Sequence, residues 1–134
     1  MVDRNGLPLS ITISAANVHD NQMLEAAIDL IEPIRRPRGR PRQRPHKLHA
    51  DKAYDSRALR AALRQRHITP RIARRGIESR QRLGRYRWVA ERTLSWLNRF
   101  RRLKVRYERS DDVHLAFLQL GCALICWRAV QQFC

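Results

Sequence analysis

Apolar and polar residues alternate from Leu7 to Ser14, with Leu9, Ile11 and Ile13 on one side, which predicts a strand. Asn5-Gly6 before it is a hairpin turn signal, and with only Met1 and Val2 ahead of the turn the partner arm is almost absent. The pattern then changes period. Leu24, Ala27, Ile28 and Ile31 recur at helical spacing, which predicts a helix from Met23 to Ile34, with Asp20 as N-cap, His19 in the capping turn and Pro33 closing the helix. Lys47 to Ala50 reads as a short strand ending at Asp51. Ser56 or Asp55 caps a helix reaching about Arg66, and Ile68 to Ile72 is again extended. Gly76 to Gly84 reads as a polar connection. Tyr86 to Phe100 is an amphipathic helix with Val89, Thr93, Trp96, Leu97 and Phe100 on one stripe. Val105 and Tyr107 suggest a brief extended stretch. Ser110-Asp111-Asp112 caps a last helix through about Val130, apolar on most sides and therefore expected to be mostly buried. The order strand, helix, strand, helix, strand, helix, helix makes a mixed α/β chain.

Charge adds a partner to this outline. The 134 residues carry 28 basic and 12 acidic side chains, a net charge of +16. Residues 1–34 sum to −4, residues 35–110 to +21 and residues 111–134 to −1. A central block of that charge would repel itself without a counter-charge, which points to a polyanion, most often nucleic acid. Residues 35–46 interleave arginine with proline and are expected to form an exposed basic loop rather than a regular element. Its Pro37-Arg38-Gly39-Arg40-Pro41 is similar to the core of an AT-hook, in which Arg-Gly-Arg enters a narrow A·T-rich minor groove; phosphate contact by a solvated loop is the alternative. No uninterrupted run of about 18 apolar residues exists, so the sequence is expected to rule out a membrane span. No signal peptide opens the chain, and three cysteines cannot form a fully paired framework, so a cytosolic setting is expected.

Two carboxylates stand out in the basic block. Asp51 ends a strand, where side chains of α/β sheets face the ligand crevice; a cap or turn role is the competing explanation. Glu91 sits mid-helix, and a salt bridge to Arg87 one turn back would also account for it. Cys122 and Cys126, four apart, are read as buried apolar residues rather than a metal pair. Trp88, Trp96 and Trp127 are read as core rather than as base-stacking platforms.

The run Arg80 to Arg109, with Arg87-Trp88-Val89-Ala90-Glu91-Arg92-Thr93 at its centre, resembles the C-terminal catalytic block of bacterial insertion-sequence DDE transposases of the insertion-sequence-four/five type. His49 to Asp55 resembles the block of the second aspartate, Leu7 to Asp20 the strand and turn before it, and His114 to Val130 the closing helix. The 39 residues between Asp51 and Glu91 and the arginine four before the glutamate fit the family pattern. Asn98 stands where the family has a basic residue, and Gly84 where it has a tyrosine. The resemblance implies an incomplete ribonuclease H-like fold, residues 1–134 being the C-terminal part of the catalytic domain, with the N-terminal strand and first catalytic aspartate missing. It implies Asp51 and Glu91 as catalytic residues and ligands of two Mg²⁺ ions. DNA contacts are expected from Arg87, Arg92, Arg38, Arg40, Arg42, Lys52, Arg99 and Arg102. The implied partners are the DNA of element ends and target, and a second copy or a complementing N-terminal fragment, with no membrane. Without the first aspartate the chain is expected to be inactive alone. The other functions left open are a non-catalytic DNA-binding remnant and an AT-hook-like architectural protein.

Overall fold

The computed structural model describes residues 1–15, 17–18, 20–35, 37–74 and 80–132, with residues 20–21 and 80–87 described through their backbone alone. The elements are α1 (Asp20–Asp29), β1 (Lys47–Ala50), a 3₁₀ turn (Lys52–Tyr54), α2 (Arg57–Gln65), β2 (Thr69–Ile72), α3 (Arg80–Leu97), α4 (Arg101–Lys104) and α5 (Asp111–Gln131). They fall into two compact units, residues 14–87 and residues 1–13 with 88–134.

In the unit of residues 14–87, β1 and β2 pair in parallel, Lys47 opposite Thr69 through Ala50 opposite Ile72. Parallel strands cannot be joined by a tight turn, and the 3₁₀ turn and α2 make the crossover. Ser56 caps α2, its Oγ accepting from Leu59 N at 3.5 Å. The helix ends in a Schellman motif: His67 N donates to Arg64 O and Ile68 N to Leu63 O, each at 2.8 Å. The left-handed position is taken by His67, φ +55°, rather than by glycine. The motif brings together Leu63 and Ile68, the two large side chains most completely buried in the described core. Leu24, Ala27, Ile28 and Ile31 are all buried, as their spacing predicts, alongside Leu48, Leu59, Ile72 and Ala73. Arg66 ties α2 to α1 through Asp29 (2.6 Å) and Glu25 (3.1 Å).

In the unit of residues 1–13 and 88–134, the Asn5-Gly6 turn forms with Gly6 at φ +86°. Asp3 Oδ1 accepts from the backbone N–H of Asn5 and Leu7, both at 2.8 Å. Thr93 and Leu97 of α3 are buried, and Val89, Trp96 and Phe100 half-buried, which is the predicted stripe. Gly121 of α5 is the point of close approach: a Cβ there would stand 3.0 Å from Leu103 Cδ1 and 3.1 Å from Leu97 Cδ2.

Several expectations are corrected. Leu7 to Ser14 is not a strand; pairing stops at one antiparallel bridge, Val2 with Pro8, flanked by the bonds Asp3 N to Leu7 O (2.9 Å) and Leu9 N to Met1 O (3.0 Å). α1 lies three residues earlier at its start and ends at Asp29, with Ile31 N closing a tight turn onto Ile28 O (3.1 Å); Glu32, preceding Pro33, disfavours helix. Asp20 is the first helical residue rather than the cap, and His19 lies outside the described residues. α3 begins at Arg80, since Arg, Gln and Leu are good helix formers and Gly84 is tolerated among them; residues 75–79 of the expected connection lie outside the described residues. The basic loop is not wholly irregular: Ile34 and Arg42 form an antiparallel bridge with both hydrogen bonds at 2.9 Å.

The last helix starts as expected at Ser110, although the serine side chain makes no capping bond, but it is not mostly buried. Only Gly121 and Ile125 are buried, while Val113, Leu120, Leu124, Trp127 and Val130 are exposed. One face of α5 packs within its unit, and these large apolar side chains lie outside it. By length and composition α5 is apolar enough to cross a membrane, against the expectation drawn from uninterrupted apolar runs; helices of water-soluble cores pass the same test. Trp88 and Trp127 are likewise surface residues, not core.

The core of residues 14–87 is measurable by truncation. Leu63→Ala is expected to cost about 2–5 kcal/mol, the range for emptying a tightly enclosed leucine site. Urea unfolding followed by circular dichroism reads this as a lower midpoint.

Candidate functional site

Asp51 stands at the carboxyl end of β1, as expected. Its backbone is extended (φ −69°, ψ 163°), and Oδ1 accepts from Lys52 N at 2.6 Å, capping the 3₁₀ turn. The turn closes on Asp55, whose N–H donates to Lys52 O at 3.1 Å. Arg60 holds Asp55 with Nε and Nη2 at 2.9 and 2.7 Å from Oδ1, and the same Nη2 donates to Ile72 O at 2.9 Å. The arginine therefore links the exit of the Asp51 turn to the end of β2. The cap explanation of Asp51 is correct as far as it goes. A carboxylate has about four lone-pair sites, so one cap bond is compatible with ligating an ion. Beside it on β1, His49 lies opposite Arg71. Burial holds its imidazole below the ordinary histidine range, with the Arg71 and Lys47 charges adding to the effect.

Glu91 is exposed on α3, in the other unit. The Arg87 side chain lies outside the described residues, and with it the expected Arg87–Glu91 pair. The next two residues do structural work beyond what was expected of them from the sequence. The Arg92 guanidinium sits between two indoles, 4.5 Å from the Trp88 centroid and 4.7 Å from that of Trp96, and donates to Asn5 O at 2.5 Å. Thr93 Oγ1 is 2.6 Å from Gly6 O and 3.1 Å from Val89 O. A Cβ at Gly6 would come within 2.9 Å of Arg92 Nη2 and 3.0 Å of Thr93 Oγ1. The hairpin turn is thus seated on the helix turn that follows Glu91. The i±4 tryptophans were the available signal for this arginine, since aromatic faces attract guanidinium.

The other expected DNA contacts divide by surroundings. Arg38 and Arg40 are exposed on the loop closed by the Ile34–Arg42 bridge, where Gly39 turns the chain at φ +88°. Arg42 is half-buried, with Nε donating to Arg44 O at 3.0 Å. Lys52 is exposed on the 3₁₀ turn and Arg99 is exposed after α3. Arg102 is 2.7 Å from Glu108 Oε1 and lies 5.2 Å over the Phe117 ring. That hydrogen bond from Arg102 holds the Glu108 carboxyl below its ordinary range. Arg106 pairs with Asp111. Burial pushes the thiols of Cys122 and Cys126 up, so both are neutral at pH 7, and Cys126 Sγ lies 3.9 Å from Pro8 O.

Carboxylate oxygens are the hard donors that Mg²⁺-type ions take, so the chemistry of Asp51 and Glu91 fits such an ion. Among the described residues no group of three or more His, Cys, Asp or Glu could hold a metal. Fold and candidate residues define a basic α/β protein with a strand-end aspartate and a helical glutamate. A family model for the transposase DDE domain matches residues 1–126, and the chain belongs to that family. The chain is 52% identical over 132 residues to a protein of Burkholderia cepacia named "Putative transposase for insertion sequence element IS402". The match covers 98% of this chain and 63% of that relative's length. No solved structure gave a significant match.

Two contacts here can be measured. Thr93→Val leaves the Gly6 carbonyl without its hydroxyl partner and is expected to cost about 1–3 kcal/mol, read by thermal unfolding. The Arg102–Glu108 pair sets a pH dependence. The Glu108 carboxyl titrates lower folded than unfolded, so its stabilisation is complete above the unfolded value and disappears as pH falls through the folded one. The melting temperature is expected to drop on acidification below about pH 4.5, close to the free glutamate value, and to drop less in Glu108→Gln.

Proposed function

We propose that this chain supplies the second aspartate and the glutamate of a metal-dependent DNA strand-cleaving and strand-transferring site, used in transposition of an insertion sequence. The observation that carries the proposal is the placement of Asp51 at the carboxyl end of β1, within a DDE domain match that also spans Glu91. Asp51 and Glu91 would hold divalent ions, Mg²⁺ being the ion suited to their oxygens. When bound, such ions stabilise charge on the attacking and leaving oxygens of a phosphoryl displacement.

The chain's own residues then bind and orient DNA. Arg38, Arg40, Arg42, Lys52 and Arg99, with Arg87, Arg92 and Arg102, make up the cationic set that contacts phosphates of element ends and target. Within it, Arg92 and Arg102 also have partners in their own unit, so their truncation mixes loss of fold with loss of DNA contact. Asp55, held by Arg60, keeps the turn after Asp51 in place. Activity requires a further carboxylate from a complementing segment or copy, and the 134 residues alone bind DNA without cutting it. The setting is the bacterial cytoplasm, at the nucleoid.

A binding-only role is the second reading, favoured by the exposed Arg-Gly-Arg loop. Its glycine lies in a left-handed turn and its ends are bridged. That shape suits phosphate contact better than an extended strand in a minor groove.

A nicking assay on a labelled duplex carrying an element end, with Mg²⁺, separates the readings. The isolated chain is expected to shift the duplex without nicking it. Joined to a segment carrying the family's first aspartate it is expected to nick, with loss to background in Asp51→Ala and in Glu91→Gln. Nicking that survives Asp51→Ala would end the assignment, and a joined protein that binds but never cuts supports the binding-only role.

A further inference from the structure

A cavity of about 500 Å³ opens between the basic loop and the turn after α2, wholly within the unit of residues 14–87. Arg40, Arg42, Arg44 and His46 line it from the loop side, and His67 from the turn. Among the described residues no acidic side chain lines it, and none of the three arginines forms an ion pair. Other arginines behave differently: Arg60, Arg66, Arg102 and Arg106 each meet a carboxylate of their own unit. Three guanidinium groups around one concavity without a counter-charge repel one another until an anion arrives.

The walls are held in place without a ligand. The Ile34–Arg42 bridge closes the loop, the bond from Arg42 Nε to Arg44 O folds its far arm, and Pro41 and Pro45 restrict φ at two of its positions. On the other side the Schellman motif fixes His67, and Thr69 N donates to His46 O at 2.9 Å, so the two histidines flank the start of β2. A preorganised cationic concavity loses less on binding than a floppy one. Its donor set, guanidinium forks and imidazole N–H groups, suits a tetrahedral oxyanion, and its open side leaves room for the chain that carries one.

We propose that this concavity seats a backbone phosphate of bound DNA, gripped by Arg40, Arg42, Arg44 and His46 from the loop side and by His67 from the turn after α2. The proposal rests on the DNA-binding reading and adds to it a defined phosphate seat with three residues, Arg44, His46 and His67, outside the sequence-expected set. Binding is sequence-independent at this point, because only the phosphate is held.

The test is fluorescence anisotropy of the full 134-residue chain on a random-sequence duplex from 50 to 200 mM NaCl. The double variant Arg44→Ala with His67→Asn is used because asparagine tolerates the left-handed backbone at position 67. It is expected to bind about five- to tenfold more weakly at 100 mM NaCl and to lose about one unit of salt slope, as for one phosphate contact removed. Arg44→Lys, which keeps the charge, should retain most of the slope; its loss there as well marks general damage and overturns the site. A double variant with unchanged slope overturns the seat while the DNA-binding reading stands. Failure of the unsubstituted chain to bind overturns both. Inorganic phosphate at matched ionic strength should displace DNA from the unsubstituted chain better than chloride does and lose that advantage in the double variant; an advantage that persists in the double variant overturns the seat.

Discussion

Parallel pairing of β1 with β2 is the constraint on which the unit of residues 14–87 depends. A parallel pair demands a crossover, and everything between Asp51 and Ile68 serves it. The 3₁₀ turn starts it, Ser56 sets α2 in motion, Leu59 and Leu63 bury its inner face, and the Schellman motif returns the chain to β2 in register. Because the strand must stop where the crossover begins, the aspartate at that junction is delivered to the carboxyl edge. Capping and the proposed role in chemistry are therefore consequences of one position, not competing explanations of it.

Arginine is used in two ways that composition cannot distinguish. Some arginines are internal ties. Arg60 joins the Asp55 turn to Ile72, Arg66 joins α2 to α1, and Arg92 joins the hairpin turn to α3 through a backbone carbonyl and two indoles. A planar fork with five donors can serve a carboxylate and a carbonyl together, which lysine cannot. Others, on the loop of residues 35–46, meet no carboxylate among the described residues and leave a concentrated positive field at the surface. The net charge of +16 thus overstates the solvent-facing charge at some positions and understates its local density at the loop.

Much of the candidate site was legible because its signals are local. β1 was read to the residue, and α2 with its Ser56 cap and β2 within one or two, since alternation, cap and helical spacing act over a few residues. The buried set Leu24, Ala27, Ile28 and Ile31 followed from period alone. The strand expected at Leu7 to Ser14 carries the same alternation and yet makes a single bridge, because a strand exists only with a partner, and pairing is not a property of its own residues. The exposure of α5 was missed for the same reason: an apolar helix is buried only where something packs on it, and Gly121 marks the one face where Leu97 and Leu103 do.

Sequence by itself therefore determined the family and the α/β class, and it singled out the two carboxylates and the basic block of residues 35–110, all of which rest on residue identity and near-neighbour spacing. Tertiary structure alone decided which basic residues are spent on the fold. It seated the Asn5-Gly6 turn on Arg92 and Thr93, at a separation of 87 residues for each bond. It also set His67 across from Arg40, Arg42 and Arg44 around one concavity. The physical reason is range: periodicity and capping are written in adjacent residues, whereas a guanidinium's partner is chosen by whatever the folded chain brings within hydrogen-bond reach.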